Sequence, residues 1–407
     1  MAALGDADIR NLGTAPVAVE PYVSPDYFEL ERKNLFAKVW LMAGREMDMP
    51  EVGDYLVKEI RPCHASVLIT RAEDRRLRAF HNVCSHRGTK VVGKSRGHAA
   101  RFACPYHGWG YNLMGELRSV PDETKFYGLD KAKCGLPPVA VDSASGFIFI
   151  NLDPTPAQSL QEYLGGVAAR LAEHPFNEWT SCYALEADVP VNWKLIIDAF
   201  QETYHLSFAH AITVVGRSTG PGNPLGHPIG FELYGPHRTM GIWGNPEHRP
   251  SPVELFAIQH GGVISQGAAD AAHRRIPRHP NWQMEVHGIF PNYFVDVAPS
   301  FFITHEVQPI AVNRTIWTSY AWFPPAKTAS ERISQEFSVA AYRDTAVEDL
   351  AILTAQQQGL ESGAKSVMLF QQNEVLCRYF NETVDRFARP RHGTSAAARA
   401  RGEASWS

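Results

Sequence analysis

The chain has 407 residues but no run of about 18 apolar residues, the length a helical bilayer crossing requires, so no transmembrane helix is expected. Nor is there an excess of positive charge. Lys and Arg number 39 against 43 Asp and Glu, a net charge of −4, which excludes the basic field that nucleic-acid or anionic-membrane binding would need. The opening MAALGDADIR lacks a basic segment followed by an apolar core, so no signal peptide is expected and the protein reads as cytoplasmic. No Gly-rich dinucleotide fingerprint and no internal repeat can be found. Cysteine is scarce, and disulfides are disfavoured in a reducing compartment. Of the six cysteines, Cys63, Cys134, Cys182 and Cys377 stand isolated and read as small packed side chains.

What is present is ample apolar content, 44%, enough for two domains. SPDYFELERKNLFAKVW begins with Ser24 as a helix cap and Pro25 at the first helical position. Residues 41–155 are short apolar runs broken by Gly, Pro and Asp, which predicts a compact all-β domain. A second domain, 1–40 with 156–388, should combine helices with two or three antiparallel strands between 293 and 323. Within it, 211–292 is rich in Gly, Pro and His, with weak periodicity, and reads as a long irregular segment shaping a pocket or interface. Helices are predicted over 330–358, stopped by Gly359, and over 365–386, with a disordered tail from Arg389 to 407. The fold class is therefore α+β.

The two remaining cysteines lie in NVCSHRGTKVVGKSRGHAARFACPYHGWGY as Cys84-x-His86 and Cys104-x2-His107. A structural zinc ion in a non-enzymatic binding module is one reading, but zinc segments usually pair Cys with Cys and His with His. Mixed loops suit a two-iron cluster in which two imidazoles replace two thiolates, the Rieske [2Fe-2S] arrangement. Farther on, ETYHLSFAH sets Glu202, His205 and His210 at 0, +3 and +8. Glu202 and His205 would share a helical face, whereas His205 and His210 lie about 140° apart on an ideal helix. The helix must bend or end between them if both hold one ion. Two histidines and a carboxylate form a facial triad that leaves positions open on a non-heme Fe(II). Asp344, Glu348 and Asp349 are candidates for the third ligand.

CSHRG, CPYHGW and NWKLIIDAFQETYHLSFAH resemble the ring-hydroxylating oxygenase family, large (alpha) subunit, over about residues 25–387. The resemblance implies an N-terminal Rieske domain and a C-terminal catalytic domain with an antiparallel sheet flanked by helices. It further implies His205 and His210 as iron ligands and Glu202 as an acid bridging to a neighbouring subunit's Rieske histidine. VEDLAILTAQQQGLESG resembles the segment around the family's ligand aspartate, which gives that role to Asp349, with Glu348 as runner-up and Asp344 as an exposed charge. Where the family often has Glu-Asn, this chain has Asp198-Ala199; Asp198 is then either a solvated helix residue or a functional one.

One cluster bound by Cys84, His86, Cys104 and His107 and one mononuclear Fe(2+) per subunit imply an oxygenase fed by NADH through a separate reductase, with or without a ferredoxin. The implied assembly is a head-to-tail trimer, alone or with a small beta subunit. Phe200, Leu206, Phe208 and the aromatic FFITH and YAWF segments predict an apolar, aromatic or polycyclic substrate and ring dihydroxylation in aromatic hydrocarbon catabolism. The alternative is a Rieske monooxygenase that hydroxylates or removes N- or O-methyl groups. Arg217, Arg238 and Arg314 remain without an assigned role.

Overall fold

The computed structural model describes residues 12–261 and 279–390. The greater part of the expected disordered tail, from 391 onward, lies outside the described residues. Arg389 itself belongs to the packed structure, because its guanidinium pairs with Glu20 at 2.7 Å and lies 4.6 Å from the Tyr27 ring centroid. The chain divides into two compact units: Arg32–Tyr163, and the described residues before and after it. No helix among the described residues is long and apolar enough to cross a membrane.

The smaller unit is built mainly of β-strands. Seven antiparallel strands pair in the order Leu41–Arg45, Phe147–Asn151, Pro138–Ala144, Leu77–His81, Ala65–Arg71, Asp54–Ile60, Arg96–His98. A second sheet of three short strands, Phe102–Ala103, Gly110–Tyr111 and Leu117–Ser119, carries one of the Cys/His loops between its first two members. Cys84 and Cys104 lie in the hydrophobic core with Phe80, Trp109 and Tyr111.

In the larger unit seven antiparallel strands form one sheet: β1 Ser181–Val189, β2 Gly230–Tyr234, β3 His237–Trp243, β4 Trp282–Ile289, β5 Tyr293–Val297, β6 Phe302–Ala311 and β7 Arg314–Phe323, in the order β1-β7-β6-β5-β4-β3-β2. Three of these strands fall inside 211–292, the stretch expected to be irregular. Every residue of β3 is buried, so the strand has no polar face and shows none of the alternation by which a half-exposed strand is recognised.

The helices that position the site are α1 Trp193–Ala199, the single turn α2 Leu206–Ala209, α3 Ala329–Glu361 and α4 Val375–Ala388. Thr328 starts α3 through a capping box with Glu331. Gly359 does not stop it: the helix runs on to Glu361, and Gly363, at φ +70°, supplies the left-handed residue beyond the cap. Residues 365–371 are likewise not helical, and Gln372–Glu374 form a single 3-10 turn. Val367–Met368 pairs with Val17–Ala18, a partner that only the folded chain brings near, and α4 begins at Val375.

Beneath α1 lies a buried ion pair. Lys194 Nζ stands 2.6 Å from Glu31 Oε1, both side chains fully inaccessible, and the Trp193 indole donates to Glu31 Oε2 at 3.0 Å. Three rings, those of Tyr22, Tyr27 and Trp193, surround the ammonium at 5.2–5.4 Å. Burial pushes Glu31 up and Lys194 down, each against their mutual attraction.

Candidate active site

The two Cys/His loops are built alike. Gly88 N–H donates to the Cys84 carbonyl at 2.9 Å and Gly108 N–H to the Cys104 carbonyl at 3.0 Å, and both glycines have positive φ, +79° and +70°. Each loop thereby turns back on its own cysteine, as close approach of backbone to a cluster requires. The His86 and His107 rings meet edge to face at 4.6 Å between centroids, and His86 is stacked on Trp109 at 5.0 Å. His86 Nδ1 is buried without a hydrogen-bond partner, a nitrogen waiting for a ligand. One thiol and one imidazole on each loop suit two donors on each of two irons. The Tyr111 hydroxyl lies 3.3 Å from Cys84 Sγ and accepts from Ser85 N–H at 3.1 Å, a contact that can donate to the thiolate once the cluster is formed.

The second site lies in the larger unit. The helix does end before the histidines: α1 stops at Ala199, His205 is the N-cap and His210 the C-cap of the one-turn α2. Glu202 thus shares no helical face with His205. Its carboxylate folds back, accepting from the N–H groups of Tyr204 and His205 and meeting His205 Nδ1. Nε2 of His205 and Nε2 of His210 approach Asp349 Oδ1 at 3.8 and 3.1 Å, and the three donors lie within 4.8 Å of one another. Donors about 2.1 Å from an ion at right angles are about 3 Å apart, so the set fits one divalent iron with open positions.

Glu348 stands on the other side of His210, accepting at 2.8 Å from Nδ1 while Thr213 Oγ1 donates to it at 2.5 Å. Both histidines are therefore clasped at Nδ1 by a glutamate and turned to present Nε2, which fixes ring orientation and tautomer. Adjacent residues of α3 do this because successive side chains point about 100° apart. Burial opposes the charged form of His210, but Asp349 and Glu348 outweigh it and raise its pKa. Asp344 pairs with Arg343 on the surface.

A second convergent set, His174, Glu285 and His287, is organised otherwise. Both Glu285 oxygens lie 3.1 Å from Arg170 Nη2, so a guanidinium already fills the place of a cation.

Asp198 is no solvated helix residue. It is buried, Tyr22 Oη lies 2.5 Å from Oδ2, and Asn381 Nδ2 lies 3.3 Å from Oδ1. The Tyr22 hydroxyl also reaches Asn381 Oδ1 at 2.7 Å, but it has one proton for two acceptors. A proton on Asp198 satisfies both, and burial accordingly pushes this carboxyl up to about 7. Because the folded pKa lies above the unfolded value of about 3.9, the native state binds the extra proton, and stability falls as pH rises from about 4 to about 7. Asp198→Asn should flatten that slope in urea titrations; a slope unchanged by the substitution would assign it to other groups.

The triad opens on a cavity of about 180 Å³ whose walls are mainly apolar, among them Ala199, Phe200, Leu206, Met240, Ile242 and Phe301. Phe208, expected in that wall, is instead exposed. Of the unassigned arginines, Arg217 lines the cavity with Nε 3.2 Å from Glu254 Oε1, Arg238 packs against Phe380, and Arg314 pairs with Asp188 at the surface. Glu348 as a histidine-orienting acid escaped sequence reasoning because two adjacent carboxylates in VEDL carry no sign of which faces the ion. Asp296 also escaped it, although a lone charge inside the apolar alternation YFVDV was a visible signal.

Residues 39–139 match the family model described as a Rieske [2Fe-2S] domain, and residues 176–389 that of the ring hydroxylating alpha subunit (catalytic domain). The chain is 33% identical over 191 residues to the carnitine monooxygenase oxygenase subunit of Escherichia coli K12, covering 46% of this chain and 50% of that protein. It is 36% identical over 195 residues to the large oxygenase component of the naphthalene 1,2-dioxygenase system of Pseudomonas aeruginosa, covering 46% and 42%. The chain thus spans about half the length of the curated relatives it matches. In fold it is similar to a quaternary ammonium Rieske monooxygenase crystallised with L-carnitine, with a TM-score of 0.74 at 22% identity, 96% of this chain and 100% of that one. Naphthalene 1,2-dioxygenase from a Rhodococcus species gives a TM-score of 0.72 at 20% identity, 95% and 100%.

Proposed function

Because the chain belongs to the ring-hydroxylating alpha-subunit family, we propose that it is the terminal oxygenase of an electron-transfer system and adds one oxygen atom to a small substrate, by hydroxylation or by removal of an N- or O-methyl group. The observation that carries this reading is the cavity beside His205, His210 and Asp349. At about 180 Å³ it is close to the engineered cavity of ~150 Å³ that admits benzene, which suits a one-ring or comparably small molecule better than a polycyclic one. The likeness to carnitine and glycine betaine monooxygenase oxygenase subunits points the same way. Ring dihydroxylation of an aromatic compound is the second reading, favoured by the aromatic wall at Phe200 and Phe301 and by the naphthalene dioxygenase relative.

When bound, the cluster held by Cys84, His86, Cys104 and His107 supplies single electrons, and the iron held by His205, His210 and Asp349 supplies the centre at which dioxygen is activated. The residues of this chain do the rest. Glu202 and Glu348 hold the imidazoles in register; Phe200, Met240 and Ile242 keep water from the substrate; Glu202 joins a neighbouring subunit's cluster to the iron site in a homotrimer. Electrons come from NADH through a reductase, with or without a ferredoxin.

Single turnover of pre-reduced, iron-loaded protein under labelled dioxygen, with a panel of aromatic and N- or O-methylated compounds, tests the reading. One labelled atom in the oxidised product, or in the methyl-derived fragment, is expected; two labelled atoms on a ring would establish dihydroxylation instead.

A further inference from the structure

Met240, Val286, Asp296 and Ile303 are direct cross-strand partners on β3, β4, β5 and β6, a single row across the sheet, and all four line the cavity. Three of the row are aliphatic and one is a carboxylate. Asp296 is only 5% exposed. Its Oδ2 lies 3.1 Å from His305 Nε2, while His305 Nδ1 faces the hydroxyls of Ser319 at 3.0 Å and Tyr342 at 3.2 Å. A hydroxyl donating to Nδ1 leaves the ring hydrogen on Nε2, where Asp296 Oδ2 accepts it. Oδ1, in contrast, is buried and has no hydrogen-bond partner. A buried carboxylate oxygen without a donor is costly, and in an apolar cavity the occupant must supply what the walls do not.

We propose that Asp296 is a specificity-determining residue whose Oδ1 accepts a hydrogen bond from a protonated amine, so that the substrate is a small molecule with an apolar body and an N–H⁺ group. A hydroxyl would supply the hydrogen but leave the carboxylate charge uncompensated; a protonated amine supplies both. Arg217, the arginine among the residues lining the cavity, lies against Glu254. The inference rests on reading this cavity as the substrate site.

Benzylammonium and toluene, which share a ring and differ in the charged donor, serve as probes in calorimetric titrations of oxidised holoenzyme whose iron content and cluster spectrum have been measured. Wild type should prefer benzylammonium, and Asp296→Asn, which keeps an acceptor for His305, should lower the ratio of the two affinities about tenfold or more, the worth of one charged hydrogen bond. Asp296→Leu, which continues the aliphatic row, should bind toluene more tightly than wild type. A ratio unchanged in both variants, or no binding of benzylammonium to wild type, overturns the proposal. A purely structural role for Asp296 would not move that ratio. Missing iron or a missing Rieske spectrum would overturn the functional reading instead, so the two failures are told apart before any ligand is added.

Discussion

Asp349→Ala is expected to yield folded protein that keeps its cluster spectrum, loses its mononuclear iron and turns over more than about 100-fold more slowly. Loss of residues that merely orient ligands commonly costs 10–100-fold in metal affinity or activity, and Asp349 is itself the group on which both Nε2 atoms converge. The neighbouring Glu348→Gln supplies the comparison. It removes charge from behind His210 Nδ1 but leaves an acceptor there, so iron should be bound more weakly yet still be bound. Metal analysis after desalting, with paramagnetic resonance of the reduced cluster, separates the cases. If Asp349→Ala retained full iron while Glu348→Gln lost it, the ligand and the orienting acid would have to be exchanged.

The largest effect on stability is expected from Lys194→Met. The methionine matches the aliphatic stem in length but leaves Glu31 fully buried, with the Trp193 indole as its remaining donor in this pair. Removing one partner of a buried ion pair costs about 3–5 kcal/mol, because the surviving charge keeps its desolvation penalty without its counter-charge. Denaturant titration should show a lower midpoint at an unchanged slope. The double variant Glu31→Gln/Lys194→Met should recover most of the loss, since no buried charge is then stranded. A double variant no more stable than the single would mean that packing around the Lys194 stem, rather than charge, sets the cost. Lys194 lies in the first turn of α1, the helix that precedes the His205 segment, so the single variant should also loosen iron binding.

The family resemblance and the α+β class were legible because their signals are local. Two loops, each with one cysteine, one histidine and a turning glycine, have a chemistry that few arrangements satisfy, and His205 and His210 stand five residues apart. Spacing even required the helix to bend or end between them if both hold one ion, although the break falls earlier, at Ala199, and Glu202 reaches His205 by folding back rather than along a helical face. Strands β3 and β4 were not legible: a strand buried on both faces loses the alternation that marks it, and Gly, Arg and His in β3 are accommodated by neighbours distant in the chain. The 365–371 stretch was misread as helix for a related reason, since its strand, Val367–Met368, exists through pairing with Val17–Ala18.

By itself, then, the sequence determined which residue types could gather around iron and sulfur, because ligand chemistry and short-range spacing are written in adjacent positions. Only the tertiary structure decided which face of His210 each of two adjacent carboxylates takes, that Asp198 is buried beneath Tyr22 rather than solvated, and that one carboxylate interrupts an aliphatic row across the sheet. Those outcomes depend on the register of strands and on a helix more than a hundred residues away along the chain, and a side chain's partner across such a distance is set by packing, not by its neighbours in sequence.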